Sequence, residues 1–240
     1  PSGVAADYRT DGGPDAAEIE SSIAAAIFYT FVPRFHRNIF QDEAEADYDG
    51  NGSVKTRAAL YLLENPDTSA TGLSLFDDVE TPDVVETPHD ILLASLSEAL
   101  NFLAGNLGQD EDGWRWGKLH QIEVQDVFGQ VGFSFDTLGP FPRGGASFTV
   151  DVAGTGNNTD DFTYRGGPQM RFVAELDPDG IKSQSSLPGG QIGLDESPHK
   201  TDLLAGWLRN ETFPYYFTPE DVIAHTEELI VLQPVVEAEK

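Results

Sequence analysis

The spacing of apolar residues in this 240-residue chain changes from a helical period to an alternating one about halfway along. In the first part apolar side chains recur every three to four positions, whereas from residue 119 short alternating runs are separated by turn-rich stretches. This order predicts an α+β fold, with helices first and then antiparallel strands with further helices. We predict one domain over 1–240, mainly helical over 15–106 and mixed over 107–240.

Local signals place the elements within this order. Thr87 can cap a helix that Pro88 begins and Gly105 ends, and Thr218 can cap a shorter one. The predicted helices cover 15–32 with a continuation over 36–46 beyond Pro33, 55–64, 87–105, 200–209 and the residues after Thr218. The predicted strands cover 147–152, 169–176 and 229–236, with a turn-rich tip at 154–161 and loops at 66–88 and 187–199.

The chain is strongly acidic, with 41 Asp and Glu against 14 Lys and Arg and a formal net charge of -27. Phosphate groups would be repelled, so nucleic acids and anionic membranes are poor partners. A membrane-spanning run of about 18 apolar residues does not occur in the sequence. The acidity fits either ordinary solubility or a salt-rich habitat, in which salt screens the repulsion. Because few of the basic residues are lysine, we favour the salt-rich, halophilic interpretation.

Composition also excludes several kinds of site. The chain has no cysteine, which excludes disulfides, thiolate metal sites and a cysteine nucleophile. Its five histidines lack the spacing of a zinc site, and the GxSxG, GxGxxG and P-loop patterns do not occur. Residues 1–20 lack the basic start and apolar stretch of a signal peptide, and Pro1 stands first instead of Met. We therefore interpret the sequence as a mature or excised piece.

The stretch DYDGNGSV contains a candidate calcium site. Asp47, Asp49 and Asn51 stand at alternate positions and Gly52 permits a sharp turn, as in the first half of a calcium-binding loop. The twelfth position of such a loop is a bidentate acid, but this sequence has Ala58 there. Two interpretations stay open: a structural calcium site, and an Asx-rich turn without an ion.

The stretch GWRWGKLH, residues 113–120, places two tryptophans beside two cations. Trp114 and Trp116 next to Arg115 are typical of core packing with cation–π contacts. His120 follows at once, and a single histidine in such a cluster is more often a hydrogen-bonded core residue than a catalyst. We interpret this tryptophan cluster (residues 113–120) as architecture that joins the helical part to the strands.

Several motifs in register resemble the C-terminal part of the β chain of the penicillin amidase family. The resemblance covers roughly residues 16–235, and it is far more specific than any one motif. The motifs are W-R-W-G-K-L-H at 114–120, G-P-F-P-R-G-G-A-S-F-T-V at 139–150, G-P-Q-M-R-F-V-A-E-L at 167–176, L-P-G-G-Q-I-G at 187–193, S-P-H-K-T-D at 197–202 and W-L at 207–208.

The resemblance implies a fold and a chemistry. The fold would be part of the four-layer αββα core of N-terminal nucleophile hydrolases, and the activity would be hydrolysis of acyl amides: penicillins, cephalosporins or acyl-homoserine lactones. In the family the first residue of the β chain, usually serine, is the nucleophile and its α-amino group is the base. This sequence begins with Pro1, so we expect the nucleophile on the remaining α and N-terminal β segments. The chain alone would then be inactive, and its location periplasmic or secreted.

The resemblance also implies a supporting catalytic role for Glu175. This residue matches a glutamate that, in the cephalosporin-acylase branch, orients a histidine near the nucleophile. Arg171 lies on the same face of the strand, so a structural ion pair is the alternative. His120 and His199 match family motifs but not catalytic roles, and we expect both to hold turns by hydrogen bonds. The alternative function is a non-catalytic, acidic and possibly calcium-stabilised binding module.

The acidic composition predicts stabilisation by salt. Raising KCl from 0.1 M to 1 M shortens the screening length from about 10 Å to about 3 Å, which weakens repulsion among the carboxylates. We expect the midpoint of thermal unfolding to rise by about 5 °C or more, equivalent to roughly 1–2 kcal/mol. NaCl at the same concentrations screens charge equally and should give a similar rise. No rise in either salt would contradict the halophilic interpretation.

Overall fold

A computed structural model describes residues 15–40, 52–66, 74–77, 83–125, 137–147, 149–155, 159–178, 180–193, 196–227, 229 and 231. Helices come first along the chain, and short antiparallel strands with further helices follow, which confirms the mixed α+β class. The helices are α1 (Ala16–Phe40), α2 (Gly52–Glu64), α3 (Pro88–Leu107), α4 (Trp116–Leu119), α5 (Leu204–Leu208) and α6 (Pro219–Ala224), with 3₁₀ turns at Glu111–Gly113 and Pro198–Lys200. The strands are β1 (Gln121–Gln125), β2 (Thr137–Pro142), β3 (Gly154–Thr155), β4 (Tyr164–Gly166), β5 (Arg171–Asp177), β6 (Gly180–Ser186) and β7 (Phe213–Pro214).

Helix α1 runs through Pro33 without ending. The predicted break before Pro33 was therefore wrong, although a proline inside a helix removes one backbone hydrogen bond. Both halves of the helix are anchored in the interior: Ala25 and Ala26 are buried before the proline, and Phe35 and Ile39 after it. Burial of both halves favours one continuous helix over two.

Helix α3 starts as predicted but ends later. The Thr87 hydroxyl accepts from the Asp90 backbone N–H at 3.3 Å, and the Asp90 carboxylate accepts from the Thr87 backbone N–H at 2.9 Å, which forms a capping box. The helix continues past Gly105 and ends at Leu107. The next residue, Gly108, caps the helix with a positive φ of 97°. Gly105 is thus a helical residue and not the cap.

The spacing of Leu92, Leu93, Leu96, Leu100 and Leu103 predicts a buried leucine face for α3, and the structure confirms it only in part. Ile91, Ser95, Ala99 and Leu103 recur every four residues and are buried. Of the other leucines that were expected to share this face with Leu103, Leu92 and Leu100 are partly covered, and Leu93 and Leu96 are exposed. The helix therefore has one face against α1 and further leucine side chains outside that contact.

A second apolar cluster joins α1, α2 and α3. It contains the buried side chains of Phe35, Ala59, Leu62 and Ile91, and Phe76 inserts into it with 1% exposure. The predicted loop between α2 and α3 is therefore pinned to the core at Phe76, as the apolar patch at 73–76 indicated. Helix α2 itself begins three residues before the predicted start.

The tryptophan cluster is buried, with Trp114 at 4% and Trp116 at 0% exposure. The Trp116 backbone N–H donates to the Ser22 hydroxyl of α1 at 3.0 Å, and its indole N–H donates to the Gly145 carbonyl at 2.8 Å. The Trp116 ring also contacts Phe162, with ring centroids 5.8 Å apart. One residue thus connects α1, the loop after β2 and the segment before β4, which confirms the core interpretation.

The strands pair as three small antiparallel sheets: β1 with β2, β3 with β4, and β5–β6–β7 in that order. The predicted strand 169–176 is confirmed as β5. The predicted strand 147–152 was wrong, because its described residues form turns and bends, with one isolated bridge between Ala146 and Val152. The Thr149 hydroxyl closes this turn, accepting from the Ala146 N–H at 3.0 Å and donating to the Asp151 carbonyl at 2.6 Å. Of the predicted turn-rich tip at 154–161, Gly154 and Thr155 form β3, and residues 156–158 lie outside the described residues.

The C-terminal part is less helical than predicted. The helix expected over 200–209 is reduced to the 3₁₀ turn Pro198–Lys200 and the short α5. Helix α6 is confirmed, since the Thr218 hydroxyl accepts from the Asp221 backbone N–H at 3.0 Å. Most of the strand predicted over 229–236 lies outside the described residues. Within the described ranges, none of the helices has the length and apolar content that a membrane span requires.

Loss of the Trp116 side chain should destabilise the fold strongly. Trp116→Ala leaves a large cavity where α1 meets the strand-bearing part, so we expect the free energy of unfolding to fall by about 3–5 kcal/mol, and Trp114→Ala to follow the same trend. Urea unfolding of the natively purified protein, followed by circular dichroism, measures the change. Phe28→Ala is the matched control, because Phe28 is an aromatic of α1 that is 55% exposed, and it should cost about 1 kcal/mol or less. Similar losses in all variants would contradict the central role of the cluster.

Candidate functional site

Asp151 joins two arginines in a partly buried ion-pair cluster. Its Oδ1 accepts from Arg143 Nη2 at 2.6 Å and from Arg171 Nη2 at 2.8 Å. Its Oδ2 accepts from the Asn210 amide at 2.9 Å. Arg143 is fully buried, so the Asp151 carboxylate compensates a positive charge that has no access to water. We call Arg143, Asp151, Arg171, Trp207 and Asn210 the Asp151 cluster.

The indole ring of Trp207 completes this cluster. The guanidinium carbons of Arg143 and Arg171 lie 4.8 Å and 5.0 Å from the Trp207 ring centroid, within cation–π range. Arg171 Nη1 also donates to the Trp207 carbonyl at 3.0 Å, and the Trp207 indole N–H donates to the Gln169 carbonyl at 2.9 Å. Because Arg171 is the first residue of β5, these contacts fix the point at which that strand begins.

The charges of the cluster control the ionisation of Asp151. Burial alone would raise the pKa of Asp151, but hydrogen bonds from Arg143, Arg171 and Asn210 and the positive charge of Arg143 hold that pKa below its ordinary value of 3.8. A carboxyl whose pKa is lowered by folding stabilises the fold at pH values above its ordinary pKa. This contribution is lost as the pH falls through the folded-state pKa, here below 3.8.

His120 lies in the interior between the tryptophan cluster and the strands. It is 0% exposed, its ring stacks on Trp116 with centroids 4.9 Å apart, and its Nδ1 donates to the Phe162 carbonyl at 2.7 Å. Burial lowers the pKa of His120 to about 4, and the nearby charge of Arg143 contributes in the same direction. The imidazole is therefore neutral at neutral pH and cannot contact a substrate directly, which agrees with the predicted structural role.

Glu175 occupies an exposed position on β5, directly opposite Lys182 of β6. The alternative was a structural ion pair between Glu175 and Arg171. The ion pair of Arg171 that the structure describes is with Asp151 instead. The predicted supporting role of Glu175 stays a prediction. The strand places the carboxylate at the surface of this chain, where a group from outside the described residues could reach it.

His199 holds a turn near the surface. Its Nδ1 lies 2.8 Å from Asp202 Oδ2 and its Nε2 lies 3.2 Å from Glu227 Oε2. The hydrogen bond with Asp202, together with the charge of Glu227, raises the pKa of His199. The contact with Asp202 three residues on agrees with the predicted turn-holding role.

The three candidate calcium ligands, Asp47, Asp49 and Asn51, lie outside the described residues. In the part of the chain that the structure describes, His, Asp and Glu side chains form no group of three or more that could hold a metal ion. Structural calcium therefore stays a prediction.

The Asp151 cluster was missed by reasoning from the sequence. The alternating pattern predicts a strand at Asp151, and Arg143 and Trp207 stand out only as members of the motifs. One signal was available: Arg143 and Arg171 are two of only 14 basic residues, and each stands within an apolar or glycine-rich stretch. Such arginines need a buried acid, but the spacing along the chain does not identify which one.

Removal of the Asp151 charge should be costly. Asp151→Asn leaves the buried guanidinium of Arg143 uncompensated, so we expect the free energy of unfolding to fall by about 3–5 kcal/mol at pH 7. Chemical unfolding of the natively purified protein measures this loss. The control is Asp161→Asn, which removes the exposed ion pair with Arg165 and should cost about 1 kcal/mol or less. Equal losses of unfolding free energy for the two substitutions would show that the buried ion pair of Asp151 contributes no more to stability than the exposed pair of Asp161.

Comparisons with known proteins agree on one family. A family model described as penicillin amidase matches residues 8–224. The acyl-homoserine lactone acylase QuiP of Pseudomonas aeruginosa is 30% identical over 224 residues, which cover 84% of this chain and 26% of that protein. QuiP of Pseudomonas fluorescens is 29% identical over 210 residues, with 84% and 24% covered. The chain thus spans about a quarter of the length of these relatives.

A solved structure was also found to be similar. The thermostable penicillin G acylase from Alcaligenes faecalis aligns with a TM-score of 0.48 and 15% sequence identity, covering 89% of this chain and 39% of that chain. The family model covers far more than half of the sequence, and all of the motifs that suggested the resemblance lie within its match. The chain belongs to the penicillin amidase family.

Proposed function

We propose that this chain is the C-terminal portion of an N-acyl amide hydrolase of the penicillin, cephalosporin or acyl-homoserine lactone acylase type. The single observation that carries the proposal is the match of residues 8–224 to the penicillin amidase family. The relatives whose names specify acyl-homoserine lactone acylase activity are about four times as long as the matched segment. We place the nucleophile on the remaining part of the enzyme.

Exposed apolar side chains on the β5–β6–β7 sheet support the proposal that another segment of the enzyme packs against it. Phe172 and Val173 are consecutive residues of β5, so their side chains point to opposite faces, yet they are 44% and 63% exposed. Both faces of the strand therefore carry apolar surface that the described part of this chain leaves uncovered. A four-layer αββα core, in which packed sheets are enclosed by helices, would cover such a sheet.

Helix α3 presents another uncovered apolar surface. Leu93 and Leu96 lie three residues apart on the helix and are 51% and 37% exposed. Together with β5 they give this chain extensive apolar surface on both a helix and a sheet. Such surfaces are typical of protein–protein contacts, which favours an enzyme part over a self-contained binding module.

The proposed chemistry is attack by an N-terminal residue on the amide carbonyl. The hydroxyl oxygen of that residue bonds to the carbonyl carbon while its own α-amino group takes the proton, since the usual pKa of this group is near 8. The amine leaves with that proton, and water then releases the acyl group as a carboxylic acid. Glu175 takes the supporting role of orienting a histidine of the partner segment. We extend the proposal to a periplasmic or secreted location and to a salt-rich habitat.

Denaturing intact-mass measurement with N-terminal sequencing tests the assembly. We expect the natively purified protein to contain a second polypeptide that begins with Ser, Thr or Cys and to hydrolyse members of a panel of acyl amides. A single inactive polypeptide that begins at Pro1 would refute the proposal and favour the binding module.

The role of Glu175 has its own kinetic test. Glu175→Gln should lower kcat by roughly tenfold or more while KM changes little, because an orienting carboxylate acts mainly in the transition state. Glu123→Gln is the matched control, since Glu123 is an exposed glutamate on β1. Unchanged kcat in Glu175→Gln would remove Glu175 from the mechanism without affecting the family assignment.

A further inference from the structure

Arg143 and His120 carry buried polar atoms that have no hydrogen-bond partner among the described residues. Both residues are 0% exposed. The atoms concerned are Nε and Nη1 of Arg143 and Nε2 of His120. A polar atom that loses its hydrogen bonds to solvent on burial and gains none in return destabilises the fold, so native proteins rarely leave such atoms unsatisfied. The two side chains therefore indicate a binding site in the interior.

The unsatisfied atoms of the two side chains are of opposite kinds. A carbonyl oxygen can only accept, so His120 Nδ1, which lies 2.7 Å from the Phe162 carbonyl, carries the proton. The pKa of His120 is lowered to about 4 by burial, so the ring is neutral at pH 7 and its Nε2 is an acceptor. A guanidinium has donors only. The site thus offers N–H donors from Arg143 and a lone pair from His120.

The two side chains are neighbours whose positions are fixed by other contacts. The Arg143 backbone N–H donates to the His120 carbonyl at 2.9 Å, and the charge of Arg143 contributes to the lowered pKa of His120. The imidazole stacks on Trp116 with centroids 4.9 Å apart. The guanidinium lies 4.8 Å from the Trp207 ring centroid and donates through Nη2 to Asp151 at 2.6 Å. A rotation that brought the two groups together would break these contacts.

The donor and acceptor atoms determine which kind of ligand can satisfy both side chains. A halide ion would accept from Arg143, but it has no proton to donate to His120 Nε2. A metal cation could bind Nε2, but the guanidinium would repel it. A water molecule accepts and donates, and buried waters usually make two to four hydrogen bonds to groups of this kind. Water therefore fits the site, and simple ions do not.

We propose that one internal water molecule bridges Arg143 and His120. It accepts from Nε or Nη1 of Arg143 and donates to Nε2 of His120. This water joins the Asp151 cluster to the tryptophan cluster through their side chains, in addition to the backbone hydrogen bond between the same two residues. Because both residues are fully buried, the water can exchange with solvent only when the interior opens. The inference is independent of the proposed function.

X-ray diffraction from crystals of the natively purified protein at pH 7 tests the proposal. We expect one water-sized density peak about 2.7–3.2 Å from His120 Nε2 and from Nε or Nη1 of Arg143. No peak, or a direct hydrogen bond between the two side chains, would overturn the proposal. Crystals soaked in sodium bromide test for an anion, since bromide scatters anomalously. An anomalous peak beside Arg143 would also overturn it.

Magnetic relaxation dispersion of the water signal, which counts long-lived internal waters, gives a test in solution. His120→Asn keeps an amide N–H that can donate to Phe162 but has no acceptor in place of Nε2, so we expect the count to fall by one. His199→Asn is the matched control, because the His199 side chain is 41% exposed, and it should leave the count unchanged. An unchanged count in a folded His120→Asn variant would contradict the bridge. If this variant does not fold, the diffraction result decides.

Discussion

The buried charge of Arg143 is the constraint on which the strand-bearing part depends. A guanidinium without access to water is tolerated only with a compensating acid, and Asp151 supplies it while also binding Arg171. To do so, the chain between β2 and β3 must turn inward at Asp151 instead of extending as a strand. The same carboxylate thus determines the path of a turn, the burial of an arginine and the start of β5.

The tryptophan cluster connects this charged centre to the helices. Arg143 donates its backbone N–H to the His120 carbonyl at 2.9 Å, and His120 stacks on Trp116, which contacts α1 through Ser22. Helical and strand-bearing parts are therefore linked by a continuous series of packed and hydrogen-bonded groups. This linkage explains why a motif that looks reactive in the sequence has a structural role in the fold.

Local signals in the sequence predicted well the features that depend on neighbouring residues. The cap at Thr87 and strand β5 could be predicted because a capping box and an alternating pattern are complete within a few residues. The break at Pro33 and the strand at 147–152 were wrong because distant contacts decided the outcome: core packing on both sides of the proline, and the ion pairs of Asp151. The Asp151 cluster could not be predicted, since its members are spread over residues 143–210 and the sequence does not say which acid meets which arginine.

The exposed edge and faces of strand β5 make this chain prone to self-association. In the part of the chain that the structure describes, it has a neighbouring strand on one side only, and both of its faces carry exposed apolar side chains. An open sheet edge with apolar faces pairs readily with any similar edge, including that of a second copy. An uncovered β5 therefore favours self-association of newly made chains, and a segment that packs on this edge and these faces would oppose it.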